Sequence, residues 1–233
     1  MVVIRIPYRN LNLIHIISEV VVPVRALPEA GLRRVPIQAR SRERLARVLE
    51  VADRLIATEG VGALTMIRVA AEARISVGSL YQYLPDREAV IETLAALYLE
   101  QLEAKAALLL EIARRERWDD PIGVLVDAFA QVYRDEPGFR ALWFGKDFNE
   151  AARAADREHK RRMAVTLREV MLAQGVVADT EGLDIACRAA HLMGDAVMQE
   201  AFRCDPDGDP NLLQEAKIAL RAYASQWASP PEP

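Results

Sequence analysis

Two cysteines in 233 residues, Cys187 and Cys204, are too few for a disulfide framework or a cysteine-rich metal site, and a reducing compartment such as the cytoplasm is the simple reading. No apolar run reaches the eighteen or so residues that span a bilayer, so a membrane partner is not expected. Catalytic signatures are missing as well. There is no Gly-x-Ser-x-Gly elbow and no His-Glu-x-x-His pair. The stretch GFRALWFGK at 138–146 is not a phosphate loop, because Asp147 stands where a magnesium-binding Ser or Thr belongs. The histidines, His15, His159 and His191, lie on separate segments with no nucleophile nearby. An enzyme is therefore not expected, and neither is a cofactor. Lysine is absent from the first 84 residues, where every cation is an arginine.

Those arginines are unevenly matched. Residues 1–84 carry twelve of them against seven carboxylates, a net +5 in a chain of net −4, which leaves −9 for the remainder. A basic amino-terminal third on an acidic body suits a polyanion met at one end only; a chance excess of surface arginine is the plainer alternative. Within that third, residues 1–40 are rich in Val, Ile and Arg and poor in helix signals, and are expected to form a poorly ordered basic extension.

From Ser41 onward the pattern is helical. Leu45, Val48, Leu49, Ala52, Leu55 and Ile56 recur at the spacing of one helix face, with Ser41 as the expected cap and Gly60 as the stop. Thr65, Ser76 and Asp86 each stand where a side-chain oxygen can accept a free N–H of a following first turn. They predict two short helices, to about Ala73 and Leu84, and a long one to about Arg117. Asp120 and Pro121 start and cap a further helix whose apolar face runs to Tyr133, and others are expected over 137–146, 149–174, 180–203 and 209–227. No strand is convincing after residue 36, so the fold class is all-α.

Two short helices joined by a tight turn are a helix-turn-helix, whose second helix enters the major groove of DNA. The second helix here reads SVGSLYQYLPDREAV over 76–90. Val77, Gly78 and Ser79 are small enough for close approach, Tyr81 offers a hydroxyl to a phosphate, Gln82 can read a base or the backbone, and Arg87 can neutralise a phosphate. Tyr83 either joins this surface or packs against the first helix.

This stretch resembles the DNA-binding domain of the TetR family of bacterial transcriptional repressors, over about Ser41 to Leu102. The resemblance implies phosphate contacts from Tyr81 and Arg87, groove reading by Val77, Gly78, Ser79 and Gln82, and capping by Thr65 against the DNA backbone. It implies a three-helix DNA-binding domain over 41–102, a helical ligand-binding and dimerisation domain over 103–228, and a loose tail over 229–233. A homodimer bound to a double-stranded, near-palindromic operator and released by a small-molecule effector follows from it, and the aromatic residues of the body suggest that the effector is hydrophobic or aromatic. Two departures are visible. Arg74 stands where the family usually places Gly in the turn, and Tyr83-Leu84 replace its common His-Phe.

The body adds its own hints. Phe129, Tyr133, Phe139, Trp143, Phe144 and Phe148 are concentrated in a chain only 6% aromatic, and could line an effector cavity with His191, or simply fill a core. Leu213, Ala216, Leu220, Tyr223 and Trp227 repeat at three and four, and Ala190 and Gly194 are small residues on the preceding helix. Together they predict a four-helix dimer interface or a seam inside one subunit. Cys187, His191 and Asp195 share a helix face and form a weak candidate metal set.

Overall fold

The computed structural model describes residues 30–34, 36–144 and 149–228. Nine α-helices are present among them, and no strand. In chain order they are α1 (Ala39–Glu59), α2 (Met66–Glu72), α3 (Val77–Tyr81), α4 (Arg87–Ala113), α5 (Pro121–Asp135), α6 (Pro137–Phe144), α7 (Glu150–Ala173), α8 (Leu183–Cys204) and α9 (Pro210–Ala224). Single 3-10 turns at Val61–Ala63 and Ser225–Trp227 complete the list. The described residues form two compact units, one from 30–103 and 136–160, the other from 104–135 and 161–228. Of the expected extension 1–40, residues 30–34 and 36–40 are described, and Ala39 and Arg40 already belong to α1; residues 1–29 and the tail 229–233 lie outside the described residues.

In the first unit, α1 packs on α2, and α2 on α3. Leu45, Leu55, Ile56, Leu64, Leu80, Leu84, Val48, Val69 and Val90 are all sealed from solvent. Burying each contributes about 1.5–3 kcal/mol and outweighs the weak propensities of such short helices. Helix α6 packs along α1. Its Gly138 leaves no room for a side chain, because a Cβ there would overlap Asp53 and the Tyr98 hydroxyl.

Most expected caps are made. Thr65 accepts from Arg68 N (3.3 Å), Ser76 from Ser79 N (3.2 Å), Asp86 from Ala89 N (2.8 Å) and Asp120 from Gly123 N (3.1 Å), each contributing about 1 kcal/mol. Ser41 is not a cap. Helix α1 starts two residues earlier, after Gln38, whose carbonyl takes the Ser41 and Arg42 N–H groups at 3.0 Å. Helix α8 starts at Leu183 rather than Thr180, because Gly182 has φ 86°, which no helix interior accepts.

Helix α4 ends at Ala113, short of Arg117, for a reason in the second unit. The buried Gln174 side chain donates to the carbonyls of Ala113 and Glu116, both at 2.7 Å, and accepts from Trp118 N at 2.9 Å. One amide thus satisfies three backbone groups where the helix stops. In the same unit α9 packs against α8 and α5. Arg221 binds Asp120 with both guanidinium ends (3.1 and 2.5 Å), and Lys217 pairs with Asp127 (2.6 Å).

Candidate nucleic-acid interface

Helices α2 and α3 are held at their angle by the turn 73–76. Arg74 sits in the left-handed region, φ 56°, the only non-Gly residue among those described to do so. The chain accepts the roughly 1–2 kcal/mol this costs an L residue and keeps the turn geometry that Gly would supply freely. Ser76 then caps α3, and its hydroxyl also meets Ser79 Oγ at 2.8 Å. Leu80, fully buried, anchors the inner side of the helix.

The outer side carries the expected residues. Gly78, Gln82 and Thr65 are exposed, Val77 and Ser79 half-buried, and Tyr81 is 42% exposed. Regular helix ends at Tyr81, so Gln82 and Tyr83 lie just past it, with the Tyr83 N–H still reaching the Leu80 carbonyl (3.0 Å). Tyr83 is half-buried, and its carbonyl accepts from Arg33 N at 2.8 Å. Gly78 is informative: its φ is not positive, and a Cβ there would meet nothing within 4 Å. Nothing inside the chain requires glycine at this helical position, where Ala would be more stable by about 0.5–1 kcal/mol. The missing side chain makes room for something outside the chain.

Arg87 has inward partners. Its Nε donates to the Leu64 carbonyl (3.2 Å) and its NH2 to the Val61 carbonyl (3.0 Å). It secures the loop that delivers Thr65, and a phosphate would have to compete with these two acceptors. Arg68 is also committed, to Glu59 (2.8 and 2.5 Å) and Glu72 (2.9 Å), while Arg54 binds Glu72 at 2.7 Å. The hydrogen bonds from these arginines hold both carboxyls below their ordinary range. Sequence reading missed Ile67, 73% exposed beside Thr65 at the start of α2. Its only sequence signal is its place two residues after the cap, facing away from Met66 and Val69.

The proposed effector residues separate. Tyr133 is buried and stacks on Phe202 (centroids 5.1 Å), with the Arg134 guanidinium over the same ring; Phe129 and His191 are half-buried in that unit. Trp143 belongs to the other unit, packed on Phe139 (4.4 Å) and edge-on to Tyr98 (6.4 Å), with its indole N–H to Asp156 at 3.3 Å. Phe144 is half-buried there, and Phe148 lies outside the described residues. No group of three His, Cys, Asp or Glu side chains among the described residues is placed to hold a metal; burial pushes the Cys187 thiol up, and Asp195 accepts from Gln199 (2.9 Å).

Several residues of the predicted seam also make contacts inside the chain. Leu213 is buried, Leu220 reaches to 3.5 Å from the Cβ position of Gly194, and the Trp227 ring covers Gly182 at 3.3 Å. Ala190 and Tyr223 are half-buried. The outward apolar residues of the same two helices are Ile185, Leu192, Met193 and Ile218, between 43% and 63% exposed, which periodicity alone did not distinguish from the inner face.

A capped helix-turn-helix with a small-residue outer face, followed by an all-helical body, defines a DNA-binding regulator. Residues 48–94 match the family described as bacterial regulatory proteins, tetR family, and residues 116–228 match the tetracyclin repressor-like C-terminal domain. The chain belongs to the TetR family of transcriptional regulators, whose members are DNA-binding transcription factors rather than enzymes. Among solved structures it resembles a TetR-family transcriptional regulator from Streptomyces coelicolor, at 27% identity over 80% of this chain and 98% of that one, TM-score 0.60. The fold is shared with the multidrug binding protein EbrR complexed with imidazole (19%, 85% and 100%, TM-score 0.60). It is also shared with NalD, the secondary repressor of the MexAB-OprM multidrug efflux pump in Pseudomonas aeruginosa (17%, 78% and 97%, TM-score 0.53). No curated protein matches the chain. Among the described residues no helix is long and apolar enough to cross a membrane.

Proposed function

We propose that this regulator is a repressor that binds a near-palindromic operator as a homodimer and leaves it when a small hydrophobic or aromatic effector binds. The observation that carries the DNA reading is the outer face of α3. Gly78 is exposed with no internal reason for being glycine, flanked by Val77, Ser79, Tyr81 and Gln82. A helix presenting that face fits a major groove, with Tyr81 and Thr65 on phosphates and Ser79 and Gln82 at base edges. The operative head is residues 41–102 and the responsive body residues 103–228.

Dimerisation is assigned to α8 and α9, through Ile185, Leu192, Met193 and Ile218 with support from Ala190 and Tyr223. Effector contact is assigned to Phe129, Tyr133 and His191. Support for an aromatic effector comes from the Tyr133–Phe202 stack and from the shared fold with a protein solved with imidazole. The effector acts only through its preference for the DNA-free arrangement.

The test is enrichment of duplexes from a randomised pool by the full-length chain. A two-fold-related pair of half-sites with centres about 34–36 Å apart, or a multiple of that, is expected. Failure to enrich any sequence above the starting pool overturns the reading.

A further inference from the structure

The segment matched to the family's DNA-binding domain, residues 48–94, is not basic. It holds four arginines against seven carboxylates, a net charge of −3. Three of the four are engaged: Arg54 and Arg68 in ion pairs with Glu59 and Glu72, and Arg87 on two carbonyls. Arg74 is the one cation of this segment whose side chain makes no hydrogen bond or ion pair among the described residues. One free arginine on an acidic surface cannot supply the counterion release that drives proteins onto duplex DNA.

The positive charge lies immediately before that segment. Residues 33–47 carry Arg33, Arg34, Arg40, Arg42, Arg44 and Arg47 against the single carboxylate Glu43, a net +5. Five of these side chains are exposed and Arg44 is half-buried. None of the six side chains has a hydrogen bond or ion pair among the described residues. In the same unit Arg54 and Arg68 are fully paired, so the contrast separates cations used by the fold from cations left for a partner.

The start of this segment is also fixed in place. Thr93, fully buried on α4, donates to the Ala30 carbonyl at 2.9 Å. Gly31, φ 73°, lies so close to Thr93 and the Ala89 carbonyl that a side chain would overlap both. Arg33 N bonds the Tyr83 carbonyl, two residues past Tyr81. These ties put Arg33 and Arg34 at the end of the groove-facing helix, continuous with the proposed interface.

We infer that Arg33, Arg34, Arg40, Arg42, Arg44 and Arg47 form an arginine clamp on the phosphate backbone flanking the operator, which provides the electrostatic share of binding that the helix-turn-helix lacks. This rests on the DNA-binding reading of α3 and adds a division of labour: α3 chooses the sequence, and the arginines hold the duplex.

The test uses the full-length chain, a duplex of random sequence and the duplex it enriches best, with anisotropy measured from 50 to 200 mM KCl. The variant carries all six arginines as Gln, and a second carries only Arg33→Gln and Arg34→Gln. Each lost phosphate contact lowers the log–log salt slope by about 0.9. The six-fold variant is expected to lose at least about 3 from the slope and to bind random duplex at least ~100-fold more weakly at 100 mM. The double variant should lose about 1–2, and Arg→Lys replacements should keep the wild-type slope. If wild type binds steeply and both Gln variants keep its slope, the clamp is overturned while the α3 reading stands. If wild type binds neither duplex, both readings fall.

Discussion

Tyr98 on α4 donates its hydroxyl hydrogen to the Asp53 carboxylate on α1, and Gly138 on α6 lies against both groups. Three helices of one unit therefore meet at a polar contact inside an otherwise apolar junction lined by Phe139 and Trp143. Burial pushes the Asp53 carboxyl up from its ordinary range, and burial with the neighbouring carboxylates pushes the Tyr98 phenol up.

Gly138→Ala is expected to destabilise the chain by about 1–3 kcal/mol, because the added methyl must displace Asp53, Tyr98 or α6 itself. Thermal or urea unfolding reads this directly. A variant as stable as wild type would show that α6 can shift away from α1 at no cost.

Gly78→Ala should do the reverse. With open space around the position, stability should rise by about 0.5–1 kcal/mol, while affinity for the enriched duplex falls. Improved stability with unchanged DNA affinity would remove α3 from the groove.

Asp53 gives a pH dependence whose sign follows from its raised pKa. The folded chain holds this proton more tightly than the unfolded chain. Its contribution is therefore lost as pH rises from 3.8, the ordinary value, through the folded one. Asp53→Asn keeps an acceptor for Tyr98 and removes that loss. The variant's thermal midpoint relative to wild type should increase as pH rises above 3.8 and level off below it. A difference that does not change with pH would show that burial does not hold the proton.

Helices α8 and α9 offer an internal contrast. Leu192→Glu, on the exposed face, should give a folded monomer by sedimentation, with helicity retained. Leu213→Ala, on the buried face, should cost about 2–5 kcal/mol of stability whatever the oligomeric state. A dimer that survives Leu192→Glu together with Ile218→Glu would place the interface elsewhere.

The caps at Thr65, Ser76, Asp86 and Asp120 were legible in the sequence because each is a contact within three residues, set by one side-chain oxygen and one first turn. The outward residues of α3 were legible for the same reason. What sequence could not show are contacts made across long separations. Gln174 ends α4 from 56 to 61 residues away, and Arg87 turns inward to carbonyls 23 and 26 residues back. Apolar spacing on α9 identified a stripe but not its partner: Leu213 is buried within the chain, while Ile218 is exposed on the same helix. Charge summed over residues 1–84 pointed to a basic third, yet only the ion pairs show which arginines the fold has already taken.

The Thr93–Ala30 hydrogen bond bears on where a minimal version of this head can be cut. Trimming at Ala39, the first residue of α1, or at 48, where the family match opens, would strip the cover from a hydroxyl that is otherwise fully enclosed. Thr93 would retain only its bond to the Ala89 carbonyl (2.7 Å), and the backbone groove that Gly31 fills would open to water. A head transplanted onto another helical body should therefore be taken from before Ala30, since the shortest segment that looks complete by its helices is not the shortest that closes its own core.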